Sequence, residues 1–334
     1  ENEENEAHRL STATAQWNDD VHHLVHVLCT GESEGYYCDY QESPHTSLGE
    51  TLATGFFFQG QPSQHRDGMP RGEPSAGLSP TAFVAFSHNH DQIGNRAFGE
   101  RLAALVSSRE AMEAVEAVIL LSPQVPMFFM GEEWGCETPF LFFCDYEGEL
   151  ADAVREGRRR EFSRFSAFHH EESRRRIPDP NDPAAMWASS LDWSWRRDDE
   201  SSREAAEAKS RHQWIRELLS VRREHLVPLL PTISSGRRWG GDGEAIRISW
   251  PAGQDRSWAV CFNLTGEQRP LPEHPEPRES SPVFTTDSQW SRETSRESSR
   301  RSSRPSGDRS KRGFRENEGS LLAPWSVYAE ITKE

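Results

Sequence analysis

Cysteine is scarce in this chain of 334 residues, and long apolar runs are missing. The five cysteines are odd in number, and no two have the Cys-x-x-Cys spacing of a redox or zinc motif. We therefore expect free thiols in a reducing compartment and predict a cytoplasmic protein. The most apolar stretch, residues 117–130, is interrupted by Pro123, Gln124 and Pro126, so we expect no membrane span.

Positive charge is also in short supply. Lysine and arginine total 38 against 54 acidic residues, which gives a formal net charge of −16. This balance argues against nucleic acid or an anionic membrane as the main partner. Residues 288–319 are rich in Ser, Arg and Glu and almost free of apolar residues, so we predict a disordered insertion there. RNA binding by this segment is the weaker alternative, because acidic residues are interspersed among the arginines.

Short apolar segments alternate with amphipathic ones in the middle of the chain. Residues 81–86 and 125–130 are predicted to be buried strands, and residues 97–106 and the segment that follows them are predicted to be helical. Buried strands alternating with helices indicate an α/β fold with parallel strands. Polar residues come directly after both strands, as "SHNHDQ" (Ser87–Gln92) and "GEEWG" (Gly131–Gly135). The ends of such strands are the usual place for chemistry.

The apolar period changes to two after residue 231. Residues 245–250, 257–264 and 323–331 alternate apolar and polar side chains and predict a small antiparallel β domain. We therefore place a domain boundary between residues 1–229 and residues 230–334.

Several kinds of chemistry can be weighed from the residues alone. His22 and His26 are four apart on one helical face with Asp19 nearby, a spacing that suits zinc, a packed histidine pair or polyol binding. The His-Glu-x-x-His arrangement, glycine-rich phosphate loops and a serine nucleophile elbow are all missing. We expect neither a metal nor a cofactor. What is left is carboxylate chemistry supported by histidines and amides, which carbohydrate-active enzymes use.

Residues 89–102, "NHDQIGNRAFGERL", resemble the strand-seven motif of the alpha-amylase superfamily in the extended form of the malto-oligosyltrehalose trehalohydrolase family. Residues 15–37, 120–146 and 182–193 look like the same family. The resemblance implies the second half of a TIM-type (β/α)8 barrel followed by a small antiparallel β-sandwich domain. It also implies retaining hydrolysis of the α-1,4 bond next to the trehalose end of maltooligosyl trehalose, with release of trehalose.

The resemblance also assigns roles to single residues. Asp91 resembles the third carboxylate, which stabilises the oxocarbenium-like transition state through hydrogen bonds to the sugar being cleaved. The residues expected to bind substrate are His22, His23, His26, His90, Gln92, Gly94 and Asn95. The implied partners are maltooligosyl trehalose and related α-glucans.

The first residues, "ENEEN", resemble the family's segment after strand five, whose first glutamate donates the proton. Glu1 is thus the candidate general acid, with Glu3 and Glu4 as alternative matches and a solvated acidic terminus as the plain alternative. Because the family's nucleophile and strands one to five lie upstream, we expect this chain to be part of a longer protein and inactive alone. The alternative functions are an α-glucan branching or debranching enzyme of the same superfamily and a non-catalytic glucan-binding remnant.

Overall fold

The computed structural model describes residues 15–106, 108–163, 165–197, 201–272, 279–286 and 321–333. Glu1, Glu3, Glu4 and the insertion predicted at residues 288–319 lie outside these ranges. The α-helices of the described chain are α1 (Asp19–Thr30), α2 (Pro44–Thr54), α3 (His90–Gly94), α4 (Leu102–Leu105), α5 (Arg109–Leu121), α6 (Gly148–Phe162), α7 (Glu171–Arg175), α8 (Pro183–Ala188) and α9 (Arg203–Val221).

The strands fall into a parallel sheet, an antiparallel sheet and two short strand pairs. They are β1 (Gln16–Trp17), β2 (Gln59–Pro62), β3 (Pro70–Gly72), β4 (Phe83–Ala85), β5 (Val125–Pro126), β6 (Arg237–Trp239), β7 (Ile246–Pro251), β8 (Arg256–Asn263), β9 (Arg269–Pro270), β10 (Glu279–Thr285), β11 (Leu321–Leu322) and β12 (Ser326–Lys333).

The parallel sheet has the order β1-β4-β5, with Trp17 opposite Val84 and Val84 opposite Val125. Helices α3, α4 and α5 lie between β4 and β5 in the chain, which confirms the predicted alternation of helix and parallel strand. Both strands are shorter than predicted, because residues 80–82 form a 3₁₀ turn and regular pairing ends at Pro126. Since all three strands run in one direction, the segments that follow them meet at one edge of the sheet.

The helices that cover this sheet are amphipathic. Helix α1 buries Val21, Leu24 and Val25 and ends at Gly31, whose φ of +71° only glycine adopts at low cost. Helix α5 begins at Ser108, whose hydroxyl accepts a hydrogen bond from the Ala111 amide at 3.1 Å.

The helix predicted over residues 97–106 is wrong in length, because only Leu102–Leu105 is helical. Gly99 has a φ of +63°, and Arg101 is extended, so the segment before α4 cannot continue a helix.

The antiparallel sheet has the order β10-β12-β8-β7-β6. Its strands β7, β8 and β12 correspond to the three segments for which the period-two pattern predicted antiparallel strands. Ile246, Ile248 and Trp250 of β7 are buried in the main core. The Trp258 indole of β8 donates a hydrogen bond to the Leu121 carbonyl at the end of α5, at 2.7 Å. The core therefore runs without interruption from the helices α1, α2 and α5 into this sheet.

The domain boundary after residue 229 stays a prediction; it falls inside the 3₁₀ turn Val227–Thr232. The barrel half and the β-sandwich of the predicted fold class also stay predictions. Among the described helices, none is both long enough and apolar enough to cross a bilayer.

Candidate active site

The segment after β4 is held by a reciprocal helix cap. The Asp91 amide donates to the Asn89 side-chain oxygen at 2.8 Å, and the Asn89 amide donates to the Gln92 side-chain oxygen at 2.9 Å. Such a pair of bonds fixes the start of a helix, because it satisfies amides that the helix itself cannot. The backbone of the first turn of α3, which carries His90 and Asp91, is therefore fixed.

His90 and Asp91 face solvent at the edge where the parallel strands end. Their side chains are 54% and 38% exposed, and His90 Nε2 lies 3.3 Å from Asp91 Oδ1. The ring of Trp17, from the neighbouring strand β1, is nearly perpendicular to the His90 ring, with ring centroids 6.2 Å apart. We call Trp17, His90 and Asp91 the surface group. It offers a carboxylate, an imidazole and an aromatic face to a ligand.

Three more predicted residues lie on or just after α3. The Gln92 amide nitrogen donates to Asp19 Oδ1 at 3.0 Å, so this side chain ties α3 to the start of α1. Asn95 is exposed directly after the helix. Gly94 is buried, and its carbonyl accepts from the Arg158 guanidinium at 2.6 Å. A Cβ at Gly94 would make only ordinary contacts within this chain.

His22, the first of the three α1 histidines, is buried and contacts the segment that leads to α3. His22 Nδ1 lies 2.5 Å from the Ser87 carbonyl, and His22 Nε2 lies 3.1 Å from the Tyr37 hydroxyl. Because a carbonyl only accepts, Nδ1 carries the proton and Nε2 accepts from Tyr37. Burial lowers the pKa of His22 well below its usual value, so the ring is neutral.

His23 and His26 are buried as well. His23 stacks on Tyr40 with centroids 4.8 Å apart, and His26 Nε2 lies 2.9 Å from Glu32 Oε2. The three α1 histidines are thus buried and engaged by other side chains or by the backbone of this chain. Their predicted contact with substrate stays a prediction.

A bidentate ion pair ties the end of α1 to the end of α3. The Arg96 guanidinium donates to both Glu32 oxygens at 2.8 Å. This pair and His26 hold the pKa of the Glu32 carboxyl far below its usual range. A cavity of only about 10 Å³, roughly the space of one water molecule, adjoins Arg96. It is lined by His22, His26, Tyr37, His88, Gln92, Ile93, Arg96, Glu100, Leu102 and Leu105.

Glu132 is the buried carboxylate that the sequence reasoning missed. It follows β5 and accepts a short hydrogen bond from the Ser87 hydroxyl and one from the Phe129 amide at 3.0 Å. Burial raises the pKa of Glu132 to about 7. The sequence marked the polar segment 131–135 at a strand end but gave no signal to separate Glu132 from Glu133.

Candidate metal ligands do not cluster in the described part of the chain. No group of three or more His, Cys, Asp or Glu side chains there has a geometry that could hold a metal ion. His22 and His26, the pair with zinc-like spacing, are engaged by Tyr37, the Ser87 carbonyl and Glu32 instead.

Known proteins similar to this chain are longer than it is. The chain is 35% identical over 266 residues to a malto-oligosyltrehalose trehalohydrolase from Deinococcus radiodurans, covering 77% of the chain and 40% of that protein. It is 43% identical over 185 residues to the protein of the same name from Arthrobacter ramosus, covering 54% and 30%. No family model matches.

A solved structure shows the same relationship. The structure of a candidate alpha amylase from Salmonella typhimurium aligns with a TM-score of 0.76 and 36% identity over 96% of this chain and 47% of that one. The chain therefore spans less than half the length of each of these relatives.

Proposed function

We propose that this chain, which is related by sequence to the malto-oligosyltrehalose trehalohydrolases of the alpha-amylase superfamily, forms part of a glycoside hydrolase. The reaction is cleavage of the α-1,4 bond next to the trehalose end of maltooligosyl trehalose, with release of trehalose and retention of anomeric configuration. In this proposal β1, β4 and β5 are strands of the second half of a (β/α)8 barrel, and the antiparallel sheet belongs to a β-sandwich domain.

The observation that carries the proposal is the position of Asp91. Its carboxylate is exposed beside His90 at the edge where the parallel strands end, while the backbone that carries it is fixed by the cap of α3. A carboxylate held in this way can accept hydrogen bonds from sugar hydroxyls that strengthen as the ring distorts, and such contacts contribute several kcal/mol. His90, Gln92, Gly94 and Asn95 are proposed to contact the same sugar, with His22, His23 and His26 on the adjoining segment.

The proposed mechanism needs two further carboxylates. Glu1, with Glu3 and Glu4 as alternatives, is the proposed proton donor. The attacking aspartate is assigned to the part of the longer relatives that this chain does not span. We therefore expect the 334-residue chain to bind maltooligosaccharides without releasing trehalose.

The experiment compares the 334-residue chain with the longer protein of which we propose it is part. Maltooligosyl trehalose is the substrate, free trehalose is quantified, and the anomer first formed is read by NMR. Asp91→Asn in the longer protein should lower kcat/KM by about 100-fold or more, since each ~1.4 kcal/mol is tenfold. Asp255→Asn, at an exposed turn of the antiparallel sheet, is the matched control and should leave the rate unchanged.

Each alternative has its own outcome in this experiment. New or lost α-1,6 branches without trehalose would replace the proposal with a branching or debranching enzyme. Binding of maltooligosaccharides that stay intact in the longer protein would identify a non-catalytic glucan-binding protein. Trehalose release by the 334-residue chain itself would refute the assignment of the nucleophile.

The partners and compartment belong to the same proposal. We propose α-glucans as the partners, no nucleic acid or membrane partner, and a cytoplasmic location. Salt-sensitive RNA binding that disappears on deletion of residues 288–319 would contradict it.

A further inference from the structure

The two polar segments that follow β4 and β5 are joined by one buried carboxyl group. Glu132 Oε1 accepts a hydrogen bond from the Ser87 hydroxyl, and Glu132 Oε2 accepts from the Phe129 amide at 3.0 Å. The Ser87 hydroxyl oxygen also lies 2.9 Å from His88 Nδ1. Glu132, Ser87 and His88 are all buried, and we call them the buried link.

The buried link leads directly to the surface group. Ser87 follows the strand region of β4, and only His88 and Asn89 separate it from His90. The Ser87 carbonyl is also held from α1, by His22 Nδ1. The backbone before α3 is therefore fixed on one side by the Glu132 carboxyl and on the other by an α1 histidine.

We propose that Glu132 is a positioning residue, which holds segment 87–91 through Ser87 and so fixes the places of His90 and Asp91. The effect of Glu132 on turnover rests on the proposed function. Its effect on the positions of His90 and Asp91 can be tested without any enzymatic activity.

The surroundings of Glu132 make the link sensitive to pH. The titratable or charged groups that face it are His88, Arg101, Glu133 and Glu116. Burial raises the pKa of the Glu132 carboxyl to about 7, against the lowering effects of the Ser87 and Phe129 hydrogen bonds. Burial lowers the pKa of His88 to about 3, so this imidazole stays neutral while Glu132 titrates.

The first test is NMR of the 334-residue chain with labelled tryptophan and backbone amides, in a His90→Gln background so that no imidazole of the surface group contributes to the signals. The Trp17 indole and Asp91 amide signals should shift with an inflection near pH 7 in this background, and adding Glu132→Gln should remove that inflection. Ser87→Ala, which cuts the link but leaves the carboxyl, should also remove it. Glu133→Gln, next in sequence, should keep it. An inflection that survives both Glu132→Gln and Ser87→Ala would overturn the proposal.

The second test is the steady-state kinetics of the longer protein. Misplacement of a catalytic group by about 1 Å can cost about 100-fold, so Glu132→Leu should lower kcat by about that factor with KM nearly unchanged. Glu132→Gln keeps the shape of the side chain and one acceptor oxygen for the Ser87 hydroxyl, and should recover at least tenfold of the loss. If Glu132→Leu does not fold, Ser87→Ala gives the same comparison. Equal kcat in all variants would refute the positioning role, whereas trehalose release by none of them, the unmodified protein included, would refute the proposed function instead.

Discussion

Replacing Arg222 with methionine should destabilise the protein by about 3 kcal/mol. Arg222 begins the π-helical turn that extends α9, and its side chain is buried. Its guanidinium donates to the carbonyls of Leu120, Ser122 and Gln124 at 2.7, 2.5 and 2.8 Å. These carbonyls belong to the end of α5 and the connection to β5. The Arg222 side chain therefore donates to carbonyls that have no partner within the helix.

The magnitude follows from those three acceptors. A buried polar group left without its partner costs about 1–3 kcal/mol, and we take the lower value for each carbonyl. Methionine refills much of the space, so we add no cavity cost. The sum of about 3 kcal/mol corresponds to a fall in melting temperature of about 6–12 °C for a domain of moderate size. The lysine of Arg222→Lys can reach fewer carbonyls, so the stability of this variant should lie between those of the unmodified protein and Arg222→Met.

Urea unfolding followed by tryptophan fluorescence measures this loss. Arg216→Met, on the exposed face of α9, is the matched control and should change the free energy of unfolding by less than about 0.5 kcal/mol. The expected loss is about 3 kcal/mol. A free energy of unfolding for Arg222→Met that lies within about 1 kcal/mol of the value for the unmodified protein would therefore refute the prediction. So would equal losses for the lysine and methionine variants.

Two further predictions concern the sheet contact of α2 and the loop before α4. His45 Nε2 accepts a hydrogen bond from the Leu264 amide at 3.1 Å, and burial lowers the pKa of His45 to about 4. Because an unfolded histidine titrates near pH ~6.5, the neutral ring contributes fully to stability above that pH. The contribution is lost as the pH falls to about 4. His45→Gln should flatten this part of a plot of unfolding free energy against pH, and an unchanged slope would contradict the assignment. Gly99→Ala should cost about 1–3 kcal/mol by urea unfolding, because φ is +63° and a Cβ would lie 2.5 Å from the Phe140 carbonyl. Gly77→Ala, with open space around it, is the control, and equal midpoints for the two would count against this explanation.

The sequence predicts the strands best where its pattern is local. Alternation of Ile246, Ile248 and Trp250 predicts β7 and the face that joins the main core, since neighbouring residues of a strand point to opposite sides. It does not predict that Arg247 and Ser249 on the other face are buried as well. The position of the polar segment 87–92 after β4 was also predictable. The length of the helix before residue 107 was not, because Gly99 has a positive φ and pairs with the distant Phe140 amide, neither of which the local pattern shows.

Long-range pairs explain most of what the sequence did not predict at the site. Glu32 and Arg96 are 64 residues apart, and Ser87 and Glu132 are 45 apart, so no spacing rule relates them. Burial was not predictable either, because His22 is a polar residue on an amphipathic helix. Only the packed structure shows that its ring is buried and bonded to the Ser87 carbonyl.

The site therefore has two layers with different physical requirements. In the buried layer, the hydrogen bonds of His22 fix its tautomer, whereas Glu132 changes its protonation state near pH 7 while bonded to Ser87. In the surface layer, the Asp91 carboxylate is partly solvated while its backbone amide is held by Asn89. A carboxylate whose hydrogen bonds to the sugar must strengthen as charge develops benefits from this arrangement. Its position is set before the reaction, while its lone pairs stay available to the sugar. Variants of the buried layer should accordingly alter kcat through the placement of Asp91, and combining Glu132→Gln with Asp91→Asn should cost little more than Asp91→Asn alone.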